Sequence, residues 1–256
     1  MASGKTKITG LIPARYASTR FPGKALATLL GKPMIQHTFE RARRARRLTD
    51  LYVVTDDERI ADVVRRFGGE PIMTSRDHPS GTDRLAEAVR DLDSDVVVNI
   101  QGDEPLITPE AIDTVVQALL DDPDVPMSTL AHRITRPEDL LNPHMGKVVF
   151  DRQGRALYFS RSPLPWPGEN IDGNCLRRTR YYNTVGLYGY RRAFLLAFAA
   201  LEPTPLECAE RLEQLRALEH GYRIMVKETD YAPLGVDVPE DLEKAQRRLA
   251  AEEGNS

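Results

Sequence analysis

The amino-acid sequence predicts an α/β protein with a mostly parallel twisted sheet flanked by helices and a smaller mixed-sheet lobe. In the first half of the chain, four short runs rich in Val, Ile and Leu alternate with amphipathic stretches. Apolar runs without polar alternation are typical of parallel strands covered on both faces, and the helices between them form right-handed crossovers. After Pro126 the expected strands follow one another without long helices, which predicts the mixed-sheet lobe.

Each expected element rests on its local pattern. Short apolar and β-branched runs predict strands at 8–12, 51–55, 71–73, 96–100, 127–134, 147–151, 156–160 and 183–191. Apolar residues at helical spacing predict helices at 34–47, 57–67, 82–92, 109–120, 192–200, 205–221 and 239–252. Residues 151–154 form an expected hairpin turn. The segment 163–180, with Pro, Gly and Asn and little periodicity, predicts a long loop.

Composition and charge narrow the class of protein. The chain has 256 residues, with 35 Lys and Arg against 38 Asp and Glu, a formal net charge of −3, and 41% hydrophobic residues. Such a chain can bury a large core, and its charge argues against a dedicated nucleic-acid binder. It has no apolar run of about 18 residues for a transmembrane helix, and residues 1–7 lack the apolar region of a secretory signal. We therefore expect a cytoplasmic enzyme.

Two groups of residues receive no function. Cys175 and Cys208 show neither metal-ligand spacing nor a His partner. Five arginines between 41 and 47 end an expected helix, where cations interact favourably with the helix dipole, so we expect a solvated face. DNA or RNA binding through this run is the alternative, and the acidic balance disfavours it.

A basic loop follows the first expected strand. Residues 11–24 include Arg15, Ser18, Arg20 and Lys24, and this combination of guanidinium, hydroxyl and ammonium groups suits a polyphosphate. The spacings of a Walker A loop and of a Gly-x-Gly-x-x-Gly turn are both absent. The alternative is an exposed basic loop.

Two carboxylates follow expected strands at the same kind of position. Asp103 comes after the apolar run at 96–100, and Asp237 comes after a short expected strand at 235–236. Together they would suit Mg²⁺, which prefers one or two carboxylates plus phosphate oxygens. Either residue could instead cap a turn or a helix, and the sequence does not show that the two lie close together.

Two further segments are candidates for ligand contacts. The Ser80-Gly81-Thr82 turn enters an expected helix and offers free backbone donors there, although a capping box from Ser80 to Asp83 accounts for it equally well. On the expected helix at 205–221, Glu207, Glu210 and Gln214 share one face. This polar stripe is either solvated or binds sugar hydroxyls.

Six motifs occur in order along the chain. They are Pro13-Ala-Arg-Tyr-Ala-Ser-Thr-Arg-Phe-Pro-Gly-Lys24, Asp77-His-Pro-Ser-Gly-Thr-Asp-Arg84, Asn99-Ile-Gln-Gly-Asp-Glu-Pro105, Ala156-Leu-Tyr-Phe-Ser-Arg161, Leu212-Glu-Gln-Leu-Arg216 and Gly235-Val-Asp-Val-Pro-Glu-Asp-Leu242. Over residues 9–249 the sequence closely resembles the 3-deoxy-manno-octulosonate (Kdo) cytidylyltransferases. Each motif is weak evidence when taken alone, but six in register are specific.

The resemblance implies a fold and a reaction. The fold is that of the nucleotide-diphospho-sugar transferases, and the reaction converts CTP and Kdo to CMP-Kdo and pyrophosphate with Mg²⁺, for lipopolysaccharide biosynthesis. It also implies a homodimer in the cytoplasm of a Gram-negative bacterium, with no nucleic-acid or membrane partner. We expect one domain over 1–256, with a nucleotide-binding half at 8–125, a sugar-binding and dimerisation lobe at 126–235, and a C-terminal helix and tail at 236–256.

The resemblance also implies roles for individual residues. The residues expected to bind CTP are Arg15, Ser18, Arg20, Lys24, Ser80, Gly81 and Thr82. The residues expected to face the sugar are Arg84, Gln101, Arg161, Tyr188, Glu210 and Gln214. Asp103 and Asp237 would hold the metal, and together with Arg15 and Lys24 they form the expected catalytic set.

The sequence departs from the family pattern in the acceptor lobe. The family usually has a basic residue and a sugar-contacting His where this chain has Asn183 and Thr184. The usual Asn-Pro-Asn-x-Val-Lys reads Asn142-Pro-His-Met-Gly-Lys147. These changes leave a modified octulosonate, such as 8-amino-8-deoxy-Kdo, as an alternative acceptor. A non-catalytic nucleotide-binding homologue is a further alternative, against which the four catalytic residues speak.

Overall fold

The computed structural model of the chain describes residues 6–17, 20–78, 80–168 and 171–253. The strands of this part are β1 (Ile8–Ala14), β2 (Thr28–Leu29), β3 (Lys32–Pro33), β4 (Asp50–Thr55), β5 (Glu70–Met73), β6 (Val96–Asn99), β7 (Met127–Arg133), β8 (Lys147–Phe150), β9 (Ala156–Ser160), β10 (Tyr182–Arg191) and β11 (Ile224–Thr229).

The helices alternate with these strands, most regularly in the first half. They are α1 (Met34–Ala42), α2 (Glu58–Arg66), α3 (Gly81–Val89), α4 (Pro109–Asp121), α5 (Pro137–Leu141), α6 (Gly173–Arg178), α7 (Arg192–Ala199), α8 (Pro205–Glu210), α9 (Gln214–Glu219) and α10 (Pro239–Glu253). A short 3₁₀ helix spans Lys24–Leu26.

Nine strands of the described residues form one mixed sheet. Its order is β11-β7-β10-β6-β1-β4-β5, and the β8–β9 hairpin joins through β10. Strands β6, β1, β4 and β5 are parallel, whereas β10 runs antiparallel between β6 and β7. The expected α/β class is therefore confirmed, with a parallel half and a mixed half in one continuous sheet.

The core lies on both faces of this sheet. In β6, Val96 and Val98 pack in one apolar cluster, while Val97 packs in the other. Helices α1, α2 and α4 cover the first face, and α3, α7 and α9 cover the second. Because successive strand side chains point to opposite faces, burial on both sides requires the continuous apolar runs seen in the sequence.

Two helix predictions are wrong in extent. The helix expected at 34–47 ends at Ala42 with Arg43 as its C-cap, so the arginines from Arg44 onward lie beyond it. The backbone N–H groups of Arg46 and Arg47 donate to the carboxylate of Asp113, which holds this irregular segment against α4. The helix expected at 205–221 is divided into α8 and α9 at Arg211, whose φ of +52° is left-handed.

Other differences reflect local caps and tertiary pairing. The loop expected at 163–180 contains α6, which the side chain of Asp172 caps by accepting from two backbone N–H groups. Helix α5 and strand β11 were not predicted, and β11 is short and pairs in parallel with β7. The short strand expected at 235–236 is not formed, and residues 231–237 are irregular.

Candidate active site

A cleft of about 440 Å³ opens at the carboxyl ends of the central parallel strands. Strand β1 lies between β6 and β4 in the sheet. The chain passes from β1 to β4 and β5 on one side and then returns to β6 on the other side. Ligands of open α/β sheets bind at such a topological switch point. The expected site residues that line the cleft are Arg15, Arg20, Lys24, Gly81, Thr82, Arg84, Gln101, Asp103, Tyr188, Gln214 and Asp237.

One ammonium group joins the two expected metal carboxylates. Lys24 Nζ lies 2.5 Å from Asp103 Oδ2 and 3.1 Å from Asp237 Oδ1, and it also donates to the carbonyl of Val236 at 3.1 Å. A second cation, Arg20, lies 3.0 Å from the same oxygen of Asp237. The structure thus brings together two carboxylates that are far apart in the sequence.

The charges of this cluster compensate one another. Burial lowers the pKa of Lys24, but the carboxylates of Asp103 and Asp237 outweigh that effect, and the pKa lies above its ordinary value. The lysine therefore stays protonated at neutral pH. With Arg20, the cluster holds two positive and two negative charges.

The donor set of the cluster fits a divalent cation. Both carboxylates already converge on one positive charge, and two carboxylates plus phosphate and water oxygens suit Mg²⁺. Within the described ranges there is no group of three or more His, Cys, Asp or Glu side chains that could hold a metal ion. The remaining ligands would have to come from water or substrate.

A residue of α2 packs against the basic loop before Lys24. The guanidinium of Arg59 stacks 3.3 Å from the ring centroid of Tyr16, and the backbone N–H of Gly23 donates to the Tyr16 carbonyl at 2.9 Å. Gly23 has a φ of +70°, which favours glycine. The 3₁₀ helix begins directly after this turn, and its first residue, Lys24, lines the cleft. Ser18, expected to bind CTP, lies outside the described residues.

The turn into α3 forms a second wall of the cleft. Ser80 and Asp83 make the capping box predicted from the sequence. Thr82 Oγ1 donates to the carboxylate of Glu213, which also lines the cleft. Burial raises the pKa of Glu213, although hydrogen bonds from Thr82 and Ser80 oppose that rise.

Glu213 is a cleft residue that sequence reasoning missed. It stands inside the Leu212–Arg216 motif, next to the selected Gln214. The helix expected over 205–221 does not distinguish Glu213 from the other polar residues of that segment. The motif itself was the only signal, and the break at Arg211 is what places Glu213 at the cleft.

The residues expected to face the sugar divide into two groups. Gln101, Tyr188 and Gln214 line the cleft, as does Arg84. Arg84 is buried, and its guanidinium donates to Thr74 at 2.6 Å and to Asp56 at 3.1 Å.

Arg161 and Glu210 are absent from the described lining of the cleft. The Glu210 carboxylate accepts from the Arg161 backbone N–H at 2.8 Å and from Ser160 Oγ at 2.7 Å. Their expected sugar contacts stay predictions.

A buried carboxylate lies directly behind the cluster. Glu104 accepts a hydrogen bond from the hydroxyl of Tyr231, and a Cβ at Gly186 would come within 3.3 Å of its Oε1. Burial raises the pKa of Glu104 to about 7, with Tyr231 opposing the rise and Asp103 adding to it. Sequence reasoning missed this residue because nothing local distinguishes it from the neighbouring Asp103.

The two departures from the family pattern lie side by side. The backbone N–H of Thr184 donates to the carbonyl of Gly146 at 2.7 Å. Asn183 Oδ1 and Thr184 Oγ1 are buried without a hydrogen-bond partner in the described structure. A Cβ at Gly146 would make ordinary contact with Leu212 at 3.5 Å. The substitutions thus form one local region between β8, β10 and the segment before α9.

Comparisons with known proteins agree with this geometry. A family model described as Cytidylyltransferase matches residues 9–224. The 3-deoxy-manno-octulosonate cytidylyltransferase of Geobacter metallireducens is 54% identical over 249 residues, covering 95% of this chain and 98% of that protein. The protein of the same name from Geotalea uraniireducens is 56% identical over 248 residues, covering 95% and 99%.

A solved structure extends the likeness to the whole fold. A CMP:2-keto-3-deoxy-manno-octonic acid synthetase complexed with CTP matches with a TM-score of 0.90 at 43% identity, covering 96% of this chain and 100% of that one. The fold and the basic, carboxylate-bearing cleft, taken with these matches, define a nucleotidyltransferase. More narrowly, the chain belongs to the 3-deoxy-manno-octulosonate cytidylyltransferase family.

Proposed function

We propose that this enzyme transfers the cytidylyl group of CTP to the anomeric hydroxyl of Kdo, giving CMP-Kdo and pyrophosphate. The observation that carries the proposal is the convergence of Lys24, Asp103 and Asp237 at the end of the central strands. Named relatives more than half identical over nearly the whole chain supply the substrate pair.

The cleft suggests a place for each part of CTP. Arg15, Arg20 and Lys24 would bind the phosphates, since all three line the cleft beside the carboxylates. The Ser80-Gly81-Thr82 turn would lie beside the cytosine. Ser18 is proposed as a supporting group of the phosphate loop.

The acceptor would enter from the mixed half of the sheet. Gln101, Tyr188 and Gln214 line that side and offer amide and hydroxyl groups to a sugar acid. Arg84, Arg161 and Glu210 are proposed for the same region on family grounds. The departures at Thr184 and Gly146 keep 8-amino-8-deoxy-Kdo as the alternative acceptor.

The chain's own residues would act by positioning and charge compensation. The sugar hydroxyl attacks the α-phosphorus of CTP and gives its proton to water, a P–O bond forms, and the bond to pyrophosphate breaks. Arg15 and Lys24 would neutralise the charge that develops on the phosphate oxygens, and the sugar-side residues would hold the hydroxyl in line.

Asp103 and Asp237 would hold Mg²⁺, which supplies a Lewis acid and a template for the reacting oxygens when bound. Their carboxylates already converge on a single cation, Lys24 Nζ. The ammonium would have to leave them when the metal enters. The phosphates of CTP offer it a new partner within the same cleft.

Assembly and location remain part of the proposal. We infer a cytoplasmic homodimer that serves lipopolysaccharide synthesis, by likeness to the family. Within the described residues, no helix combines the length and apolar character needed to cross a bilayer.

The first test is pyrophosphate release with CTP and Mg²⁺, offering Kdo, 8-amino-8-deoxy-Kdo and sialic acid in parallel. Turnover of Kdo is expected. Turnover of the amino sugar alone would indicate a modified acceptor and would assign the acceptor preference to the region of Thr184 and Gly146. No turnover of any acceptor, with CTP still bound, would favour the non-catalytic alternative.

A further inference from the structure

A fully buried lysine lies in the acceptor lobe, at the start of β8. Lys147 is 0% exposed, and its ammonium donates to the carbonyl oxygens of Asn142 at 2.7 Å, Met145 at 2.8 Å and Arg161 at 2.7 Å. Three acceptors match the three protons of an ammonium group. Because the nitrogen is enclosed by backbone, it cannot touch a substrate.

Arg161, which supplies one of those carbonyls, continues the network. Its guanidinium donates to the carbonyls of Glu210 at 2.7 Å, Pro143 at 3.0 Å and Arg211 at 3.1 Å. Two cations therefore tie the 142–145 segment, the end of β9 and the end of α8 to one another. We call Lys147 and Arg161, with their carbonyl partners, the carbonyl clamp.

The clamp contacts a residue whose backbone conformation is disfavoured for its type. Arg211 has φ +52° and ψ +46°, a left-handed conformation that residues other than glycine rarely adopt. Glu213 and Gln214 follow two and three residues later and line the cleft. Strained conformations of this kind persist where surrounding contacts over-determine them.

We propose that Lys147 and Arg161 are positioning residues that keep Arg211 left-handed and so orient Gln214 toward the acceptor side of the cleft. The proposal rests on the acceptor site proposed above. It gives Arg161 a role through the backbone, in addition to any contact with the sugar.

The cost of burying Lys147 supports such a role. The pKa of Lys147 is lowered to about 8, first by burial and then by the Arg161 guanidinium, with the Glu210 carboxylate opposing the shift. A methionine of similar volume would avoid that cost, but it would remove a donor from three carbonyl oxygens, of which that of Asn142 keeps the Met145 N–H.

The test compares Lys147→Met with Arg136→Met, an exposed arginine of the same lobe that pairs with Asp139. The KM for Kdo should rise about tenfold in the first variant, because a misplaced Gln214 would lose its proposed contacts with the bound sugar acid. The KM for CTP should stay within about threefold, and the control should match the wild-type enzyme in both constants. An unchanged KM for Kdo, or an equal rise in both KM values, would overturn the proposal.

Arg211→Gly supplies the rescue. Glycine adopts positive φ without penalty, so adding this substitution to Lys147→Met should bring the KM for Kdo back close to its wild-type value. Lack of rescue would count against transmission through Arg211. If Lys147→Met does not fold, Arg161→Lys with and without Arg211→Gly repeats the comparison, since a lost direct sugar contact would not be rescued.

Amide hydrogen exchange over residues 205–219 separates this proposal from the proposed function. Exchange at 211–215 should be faster in Lys147→Met than in Arg136→Met, and Arg211→Gly should slow it again. This readout needs no acceptor. If the wild-type enzyme is inactive with Kdo but the variants show the expected exchange pattern, Kdo is refuted as the substrate and the clamp is supported. If exchange at 211–215 is the same in Lys147→Met and Arg136→Met, the clamp alone is refuted.

Discussion

Lys24 Nζ lies 2.5 Å from Asp103 Oδ2, and the same nitrogen reaches Asp237 Oδ1 at 3.1 Å. A single ammonium thus occupies the oxygens proposed to hold Mg²⁺. A divalent cation would have to compete with it, and the carboxylates carry little uncompensated charge while Lys24 and Arg20 are present. The phosphates of CTP would give the lysine an alternative partner. Metal binding should therefore depend on the nucleotide.

Lys24→Met should increase the affinity of the free enzyme for a divalent cation by about tenfold, because it leaves two carboxylates facing one another without their shared cation. Mn²⁺ binding measured by electron paramagnetic resonance, with and without CTP, tests this. Lys32→Met is the control, since that exposed lysine pairs with Glu40. Equal Mn²⁺ affinity in all three proteins would show that the ammonium does not compete with the metal.

Asp103→Asn and Asp237→Asn should each lower kcat by about 10²–10³ while changing the KM for CTP much less, because charge at the proposed metal site would matter most in the transition state. Asparagine keeps the shape of the side chain and removes its charge. Glu240→Gln provides a matched loss of an exposed carboxylate on the neighbouring helix. A loss confined to KM would contradict the assigned role of the two aspartates.

Several features of the fold could be predicted because their causes are local. The apolar run of β6 reflects burial on both faces of the sheet, and the capping box depends only on Ser80 and Asp83, within four consecutive residues. Several of the expected site residues, such as Asp103 after β6 and Gly81 at the start of α3, also follow strands or begin helices. These positions converge in a parallel sheet whatever the details of its packing.

Other features depend on contacts between distant segments. The pairing of Asp103 with Asp237 through Lys24 requires residues more than a hundred positions apart. At the break, the carbonyl of Arg211 accepts a hydrogen bond from Arg161, the residue after β9, and this distant contact is invisible to the periodicity of 205–221, which predicts one helix. Glu213 was missed for the same reason.

Gly102→Ala should disturb the site through the backbone. A Cβ there would lie 2.7 Å from the carbonyl oxygen of Pro13, so the turn that carries Asp103 and the end of β1 would have to separate. We expect a loss of about 1–3 kcal/mol in the free energy of unfolding and a fall in kcat of about tenfold. Urea denaturation and initial rates measure both.

Gly235→Ala is the control for this substitution, because a Cβ at that position would meet nothing within 4 Å. The two variants add the same methyl group, and both stand two residues or fewer from a carboxylate of the cluster. A Gly102→Ala enzyme as stable and as active as Gly235→Ala would show that the turn has room to adjust.

Glu104→Gln should change how stability depends on pH. The pKa of Glu104 is about 7 in the folded protein, above its value of 4.5 in an exposed chain, because the carboxyl is buried. Between these values the folded state binds the proton and the unfolded state does not. Stability from this group is therefore present at low pH and is lost as pH rises to 7.

The free energy of unfolding, measured by urea at pH 5 and pH 8, tests this prediction. The wild-type protein should lose about 2–3 kcal/mol more than Glu104→Gln between the two values, since the amide does not ionise and still accepts from Tyr231. Tyr231→Phe should steepen the loss, because it removes the hydrogen bond that favours the carboxylate. Parallel pH profiles for Glu104→Gln and the wild-type protein would mean that Glu104 is ionised throughout, and that Tyr231 and nearby dipoles fully offset its burial.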